Sequence, residues 1–236
     1  MMYCIGQMSE ERMDRLFTVT SLYDLQHTLA GDYLNTFQFP WEALDGIRSL
    51  ILELGPKLSP EYIENVPGQW IHRTAEIAAS AELNGPCIIG PETQVRHGAF
   101  IRGSALVGRG CVVGNSVELK NVILFDGVQV PHYNYVGDSI LGYKAHMGAG
   151  AVTSNIKSDK TNIVVRGEEP IATGRRKLGA MIGDFAEIGC NAVLNPGTVI
   201  GRRVTVYPTS CVRGTVPEDS IWKNTGEIIR KRELHV

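Results

Sequence analysis

Residues 71–119 read IHRTAEIAASAELNGPCIIGPETQVRHGAFIRGSALVGRGCVVGNSVEL, and every sixth position is aliphatic: Ile71, Ile77, Leu83, Ile89, Val95, Ile101, Val107, Val113 and Leu119. Four residues after the first eight anchors the side chain is small or compact: Ala75, Ala81, Cys87, Thr93, Ala99, Ala105, Cys111 and Val117. A second run reads Ile182, Ile188, Leu194, Ile200, Val206 and Val212, with Ala186, Ala192, Thr198, Val204 and Ser210 as companions. Between the runs the period falters through Val130, Val136, Leu141 and Met147. A period of six suits neither an α-helix nor an ordinary strand. It suits one short strand plus one turn, so three units close a triangular coil of about eighteen residues. The anchor points inward, the small residue fits the corner, and coils stack through parallel ladders at about 4.8 Å. The spacing predicts a mainly β protein, a parallel β-helix of hexapeptide repeats over 67–217 with about seven coils.

The flanks differ. Residues 1–66 read as an N-terminal helical cap or linker. Ser21–Ala30 and Trp41–Gly55 are the expected helices, the second with Pro40 at its start and an apolar stripe of Ile47, Leu50, Ile51 and Leu54. Ser59-Pro60-Glu61 reads as a further helix start, and Pro67-Gly68 as punctuation before the coils. The cap is expected on the first coil, whose edge is otherwise unpaired, or against a neighbouring subunit. A polar stretch at 155–180 breaks the period, and an excursion of that length is often functional. Residues 218–236 read as a C-terminal strand or tail.

Composition sets the outer bounds. Lys plus Arg number 23 against 25 Asp plus Glu, a formal charge of −2, which excludes a bulk basic surface for nucleic acid. No apolar run is long enough to span a membrane. The start, MMYCIGQMSEER, has no basic region followed by an apolar stretch, so a cytoplasmic location is expected. Five cysteines without a CxxC pair argue against a disulfide scaffold or zinc ribbon.

Candidate chemistry gathers where the period falters: Glu118, Lys120, His132, Tyr135, His146, Asn155 and Lys160. An imidazole such as His132 suits proton abstraction; its structural alternative is a surface turn histidine. Tyr135 could orient a phosphate or hydroxyl, or pack on a neighbour. Arg102 and Lys120 are one coil apart and should stack as paired positive charge, as a phosphate clamp would. The Arg175-Arg176-Lys177 run could hold a phosphate or be solvated surface. His27, His72, His97, His132, His146 and His235 show no His-x4-His spacing, so no metal site is expected. Neither nucleotide-binding glycine fingerprint occurs, nor an evident nucleophile elbow.

The stretch GNSVELKNVILFDGVQVPHYNYVGDSILGYKAHMGAGAVTSN (114–155) resembles the acetyltransferase half of the bifunctional glucosamine-1-phosphate N-acetyltransferase / N-acetylglucosamine-1-phosphate uridyltransferase family. VVRGEEPIATGRRKLGAMIGD (164–184) is similar to the archaeal-type sugar-phosphate nucleotidyltransferases carrying that half, and FPWEALDGI (39–47) to their linker. The resemblance implies a left-handed coil and a homotrimer with its sites between prisms. It implies acetyl-CoA as donor and an amino-sugar 1-phosphate, of glucosamine or galactosamine, as acceptor. His132 matches the catalytic base. Arg102 and Lys120 match residues holding the sugar phosphate, and Tyr135 and Asn155 residues around the sugar; Lys160 matches a family lysine if one gap is allowed. Ala149 and Cys190 match positions lining the acetyl-CoA channel, with Tyr207 and Pro208 nearby. His146 stands where the bacterial enzymes have a substrate-contacting asparagine. The sequence has no glycine-rich G-x-G-T-R loop, so a separate nucleotidyltransferase is the expected partner. Rival readings are acetylation of another small amine or a nucleotide-linked sugar, an idle β-helix that binds a nucleotide sugar or organises a partner enzyme, and a zinc hydratase.

Overall fold

The computed structural model describes residues 17–167 and 169–231. Cys4 and His235 fall outside them, as do the rest of the first sixteen residues of the expected cap and the last five residues of the tail.

The chain winds as a triangular prism of parallel strands and matches a left-handed β-helix of hexapeptide repeats. Seven complete turns and a partial eighth are present. The first face stacks Gln69–His72, Cys87–Ile89, Ala105–Val107, residues 122–124 and 139–141, Ala180–Ile182, Thr198–Ile200 and Thr215–Val216. The second face runs from Glu76–Ile77 to Ser220–Trp222, and the third from Glu82–Leu83 to Cys211–Val212. The anchors are buried inside from Ile89 onward, and Ile71, Ile77 and Leu83 at the first turn are half-buried; Ile89, Ile101, Val107, Val113, Leu119 and Val130 are fully inaccessible. Each such side chain contributes about 1.5–3 kcal/mol.

The faltering period is a shortened corner. From Leu119 to Leu124 and from Val136 to Leu141 the anchors are five residues apart, one fewer than elsewhere. The strands Glu118–Leu124 and Tyr135–Leu141 therefore run without interruption from the third face to the first, joining both into one sheet. Asn121 (φ 55°) and Asp138 (φ 49°) make the bend in the left-handed region, which Asn and Asp tolerate better than other side chains. After Thr153 the chain leaves the prism and returns at Ala180, forming a small antiparallel hairpin, Val164–Arg166 with Pro170–Ala172, on the way.

The N-terminal segment corrects three expectations. Ser21–Ala30 is not one helix. Val19–Leu22 is a single α-turn and Leu25–His27 a 3-10 turn. The Asp24 side chain accepts the Gln26 N–H, while its own N–H donates to Asp184 Oδ2 at 2.7 Å, bending the chain onto the prism. The second expected helix is 3-10 over Pro40–Gly46 and α over Ile47–Leu54, with Ile47, Leu50 and Ile51 buried as the stripe requires. Ser59-Pro60-Glu61 starts no helix; it leads into Tyr62–Val66, which pairs antiparallel with Gln69–His72 and covers the edge of the first turn.

The helical part is not confined to the first coil. It lies along the first face, against Ala105–Val107 and Glu118–Leu124. Alternation along the strands turns Trp70, Ile88, Leu106, Ile123, Ile140, Met181 and Val199 outward there, and all are buried. Asp184 fastens this layer: it is 2% exposed and accepts N–H bonds from Asp24 and Tyr143 (2.8 Å), with Arg202 at 3.5 Å. Burial raises its carboxyl above the usual range, against the pull of these N–H groups and Arg202. His27 stacks on Tyr143 with ring centres 3.6 Å apart.

Candidate active site

Two rows of side chains border the third face. At its far edge the shortened corner places Asp138 at the centre of a hydrogen-bonded cluster. Asp138 is 3% exposed. Lys120 Nζ donates to both of its oxygens at 3.1 Å, Asn121 Nδ2 at 3.0 Å and Asn155 Nδ2 at 2.6 Å. Asn155 Nδ2 also reaches the Tyr135 hydroxyl at 3.1 Å. Burial and then the Asp138 carboxylate raise the Tyr135 phenol, keeping it protonated as a donor. One turn away Arg102 Nη1 pairs with Glu118 at 2.7 Å.

Arg102 and Lys120 thus stack on adjacent turns, but they do not present bare positive charge. Each carries a carboxylate, so the four groups sum to zero formal charge. Glu118 and Asp138 complete the pairs, and Asp138 and Asn121 are the residues that sequence reasoning missed. Their signal was the five-residue spacing at that corner, with an Asn or an Asp at the lost position.

At the near edge the second corner forms a straight ladder. Gly150 N–H donates to the His132 carbonyl (3.0 Å), Asn191 N–H to Ala149 (2.8 Å) and Thr209 N–H to Cys190 (2.8 Å). His132, Ala149, Cys190 and Pro208 therefore occupy equivalent places on successive turns, and Tyr207 directly precedes Pro208. His132 is exposed at the end of Gln129–His132, with Tyr133 beside it 64% exposed. Between His132 and Tyr207 this row carries only the small side chain of Ala149 and the exposed Cys190.

Two expected residues stand apart. His146 lies mid-way across the second face, where its Nδ1 meets Glu187 at 2.8 Å. Lys160 is exposed in a turn of the inserted loop (φ 57°), without a side-chain partner among the described residues. Arg175 is taken by Asp45 in a two-pronged pair at 2.7 and 2.5 Å, whereas Arg176 and Lys177 are exposed and unpaired among the described residues. The loop's return is tied to the cluster: Leu178 N–H donates to Asn155 O (3.0 Å) and Gly179 N–H to Asp138 O (2.9 Å). A side chain on Gly179 would collide with Gly137 and Ser139. Beside Asn155 opens a cleft of about 420 Å³ lined by Ser154, Ile156, Lys157, Asn195, Arg166 and Arg213 among others. Among the described residues no group of His, Cys, Asp and Glu is arranged to hold a metal ion. No helix among them is long and apolar enough to cross a membrane.

These features define a hexapeptide-repeat β-helix with polar residues at both edges of one open face. Its sequence relatives are GlmU-type bifunctional proteins. Residues 83–172 match the model of the GMPPB C-terminal domain. The chain is 36% identical over 112 residues to a bifunctional sugar-1-phosphate nucleotidylyltransferase/acetyltransferase of Sulfurisphaera tokodaii, covering 47% of this chain and 28% of that one. It is 26% identical over 232 residues to the bifunctional protein GlmU of Methanococcus vannielii, covering 94% and 54%. The chain thus spans about half, or less, of the curated relatives it matches. A hexapeptide transferase family protein from Anaplasma phagocytophilum superposes with TM-score 0.39 at 16% identity, over 70% of this chain and 79% of that one.

Proposed function

We propose that the protein is an acetyl-CoA-dependent N-acetyltransferase acting on an amino-sugar 1-phosphate, with sites completed between the subunits of a homotrimer. The observation that carries this reading is the pair of rows bordering one face. The acceptor would lie toward Lys120, Tyr135 and Asn155, and the donor's acyl arm along Ala149, Cys190, Tyr207 and Pro208, with His132 at the head of that row.

His132 takes the proton from the amine as its nitrogen attacks the thioester carbonyl. The C–N bond forms, the C–S bond breaks, and the proton passes from the imidazolium to the departing thiolate. Holding both substrates at this distance supplies much of the acceleration. The Lys120–Asp138 pair orients the ammonium toward the acceptor's phosphate, while Lys160, Arg176 and Lys177 supply the net positive charge that the neutral cluster lacks.

A second reading, a nucleotide-linked amino sugar as acceptor, is favoured by the cleft beside Asn155, where Arg166 and Arg213 have no ion-pair partners among the described residues. Thiol release from acetyl-CoA with glucosamine-1-phosphate, galactosamine-1-phosphate and a nucleotide-linked amino sugar separates the two. Turnover with a sugar 1-phosphate that falls about 10²–10⁴-fold in His132→Ala is the expected result. Release with none of the three, in a folded trimer, would overturn the reading.

A further inference from the structure

Most second corners are closed alike. The N–H four residues beyond the anchor donates to the carbonyl one residue beyond it: Ala81 to Ala78 (2.9 Å), Ala99 to Arg96 (3.2 Å), Val117 to Gly114 (3.4 Å), Ala151 to Gly148 (3.1 Å) and Ala192 to Gly189 (3.2 Å). The turn carrying His132 has no such bond. Pro131 supplies the carbonyl there, and it leans so far toward the preceding turn that a side chain on Gly114 would collide with it.

The side chain of Asn134 bridges this turn instead. Its Oδ1 accepts the His132 N–H at 3.2 Å. Its Nδ2 donates to the Gly148 carbonyl at 2.8 Å and the Ala151 carbonyl at 3.0 Å. Asn134 is 2% exposed and points into the prism, in a row otherwise made of Ala81, Ala99, Val117, Ala151, Ala192 and Ser210. An amide in that row carries a desolvation cost that its three bonds must offset. Corner closure alone does not demand it. The turn Tyr207–Ser210 also lacks the backbone bond, and there no side chain substitutes: the Ser210 hydroxyl is buried without a partner. What Asn134 joins is specific: the backbone of His132 and both ends of the turn that presents Ala149.

We propose that Asn134 is a positioning residue that fixes the His132 corner relative to the Ala149 corner, and so the base relative to the acyl arm. The proposal rests on the functional reading above. A small error in this separation misaligns the amine, the base and the thioester carbonyl together.

The test compares Asn134→Ala with Val117→Ala, a truncation in the same interior row one turn earlier, in the full chain. Asn134→Ala should lose about 10–100-fold in kcat, with KM for the amino-sugar phosphate within about twofold. Val117→Ala should unfold at a lower temperature than wild type yet keep its kcat. In a histidine-ring NMR spectrum, the His132 signal, identified by its loss in His132→Gln, should move in Asn134→Ala alone. Equal kcat in the two variants with an unmoved His132 signal would overturn the proposal, as would the same displacement in Val117→Ala. If the wild-type protein releases no thiol with any amino-sugar phosphate, the functional reading fails, and the ring signal still decides whether Asn134 places His132.

Discussion

On the first face the outward positions are Leu106, Ile123 and Ile140; at the same height on the third they are Phe100, Glu118 and Tyr135. Both faces come from one repeat with the same inward anchors. The first is sealed beneath the N-terminal segment and contributes stability. The third is left open, and at its edges the chain departs from its own rule, with a corner one residue short and a turn closed by a side chain. A repeat that satisfies its core with one residue in six leaves the outward positions free to diverge.

Breaking the sealed face should have the largest effect on stability. Leu106→Ala is expected to cost about 2–5 kcal/mol in denaturant unfolding while leaving kcat/KM unchanged. A comparable loss from truncating Phe100 on the open face would erase the contrast.

Within the open face, burial sharpens the comparison. Asp138→Asn removes the counter-charge of Lys120 and sets an amide against the amides of Asn121 and Asn155, at a cost of about 1–3 kcal/mol. Glu118→Gln, at the more exposed Arg102 pair, should cost less, because solvent screens that pair. Parallel urea titrations decide whether the buried carboxylate is the stronger of the two.

The layer fastened by Asp184 should respond to pH in a known sense. Burial raises its folded pKa above the ordinary aspartate value of 3.8. The unfolded chain therefore gives up this proton first. The group's contribution is full below 3.8 and is lost as pH rises through its raised value. Thermal unfolding followed across that acidic range should show this slope in wild type and lose it in Asp184→Asn; an identical slope in both would reject the assignment.

The smallest effect belongs to the corners. Thr209 is a β-branched residue at φ 60° where Gly98 and Gly150 stand in other turns. Thr209→Gly should raise stability by about 0.5–1 kcal/mol, seen as a slightly higher Tm.

The prism itself was legible because anchors such as Ile89 and Val107 repeat at a fixed interval. The cover on the first face was written as apolar triplets, Cys87–Ile89 and Ala105–Val107, buried on both sides. Stepping by six passes over them. Alignment of Arg102 with Lys120 followed from their separation of one turn, whereas their carboxylate partners depended on side-chain reach and on a corner whose length only the fold displays. The His146–Glu187 contact spans the inserted loop, so no fixed interval announces it. Ser21–Ala30 carried helical residues, but the Asp184 carboxylate captured the Asp24 N–H and tertiary contact overrode local preference.

Stacked repeats ordinarily feel only their neighbours and can fray from either end. Here the N-terminal segment touches Trp70 in the first turn through Gly55 and reaches Arg202 in the seventh, whose Nη2 donates to the Thr20 carbonyl at 3.3 Å. That lengthwise strap couples distant turns, so the array should melt as one cooperative unit, with calorimetric and van't Hoff enthalpies in agreement.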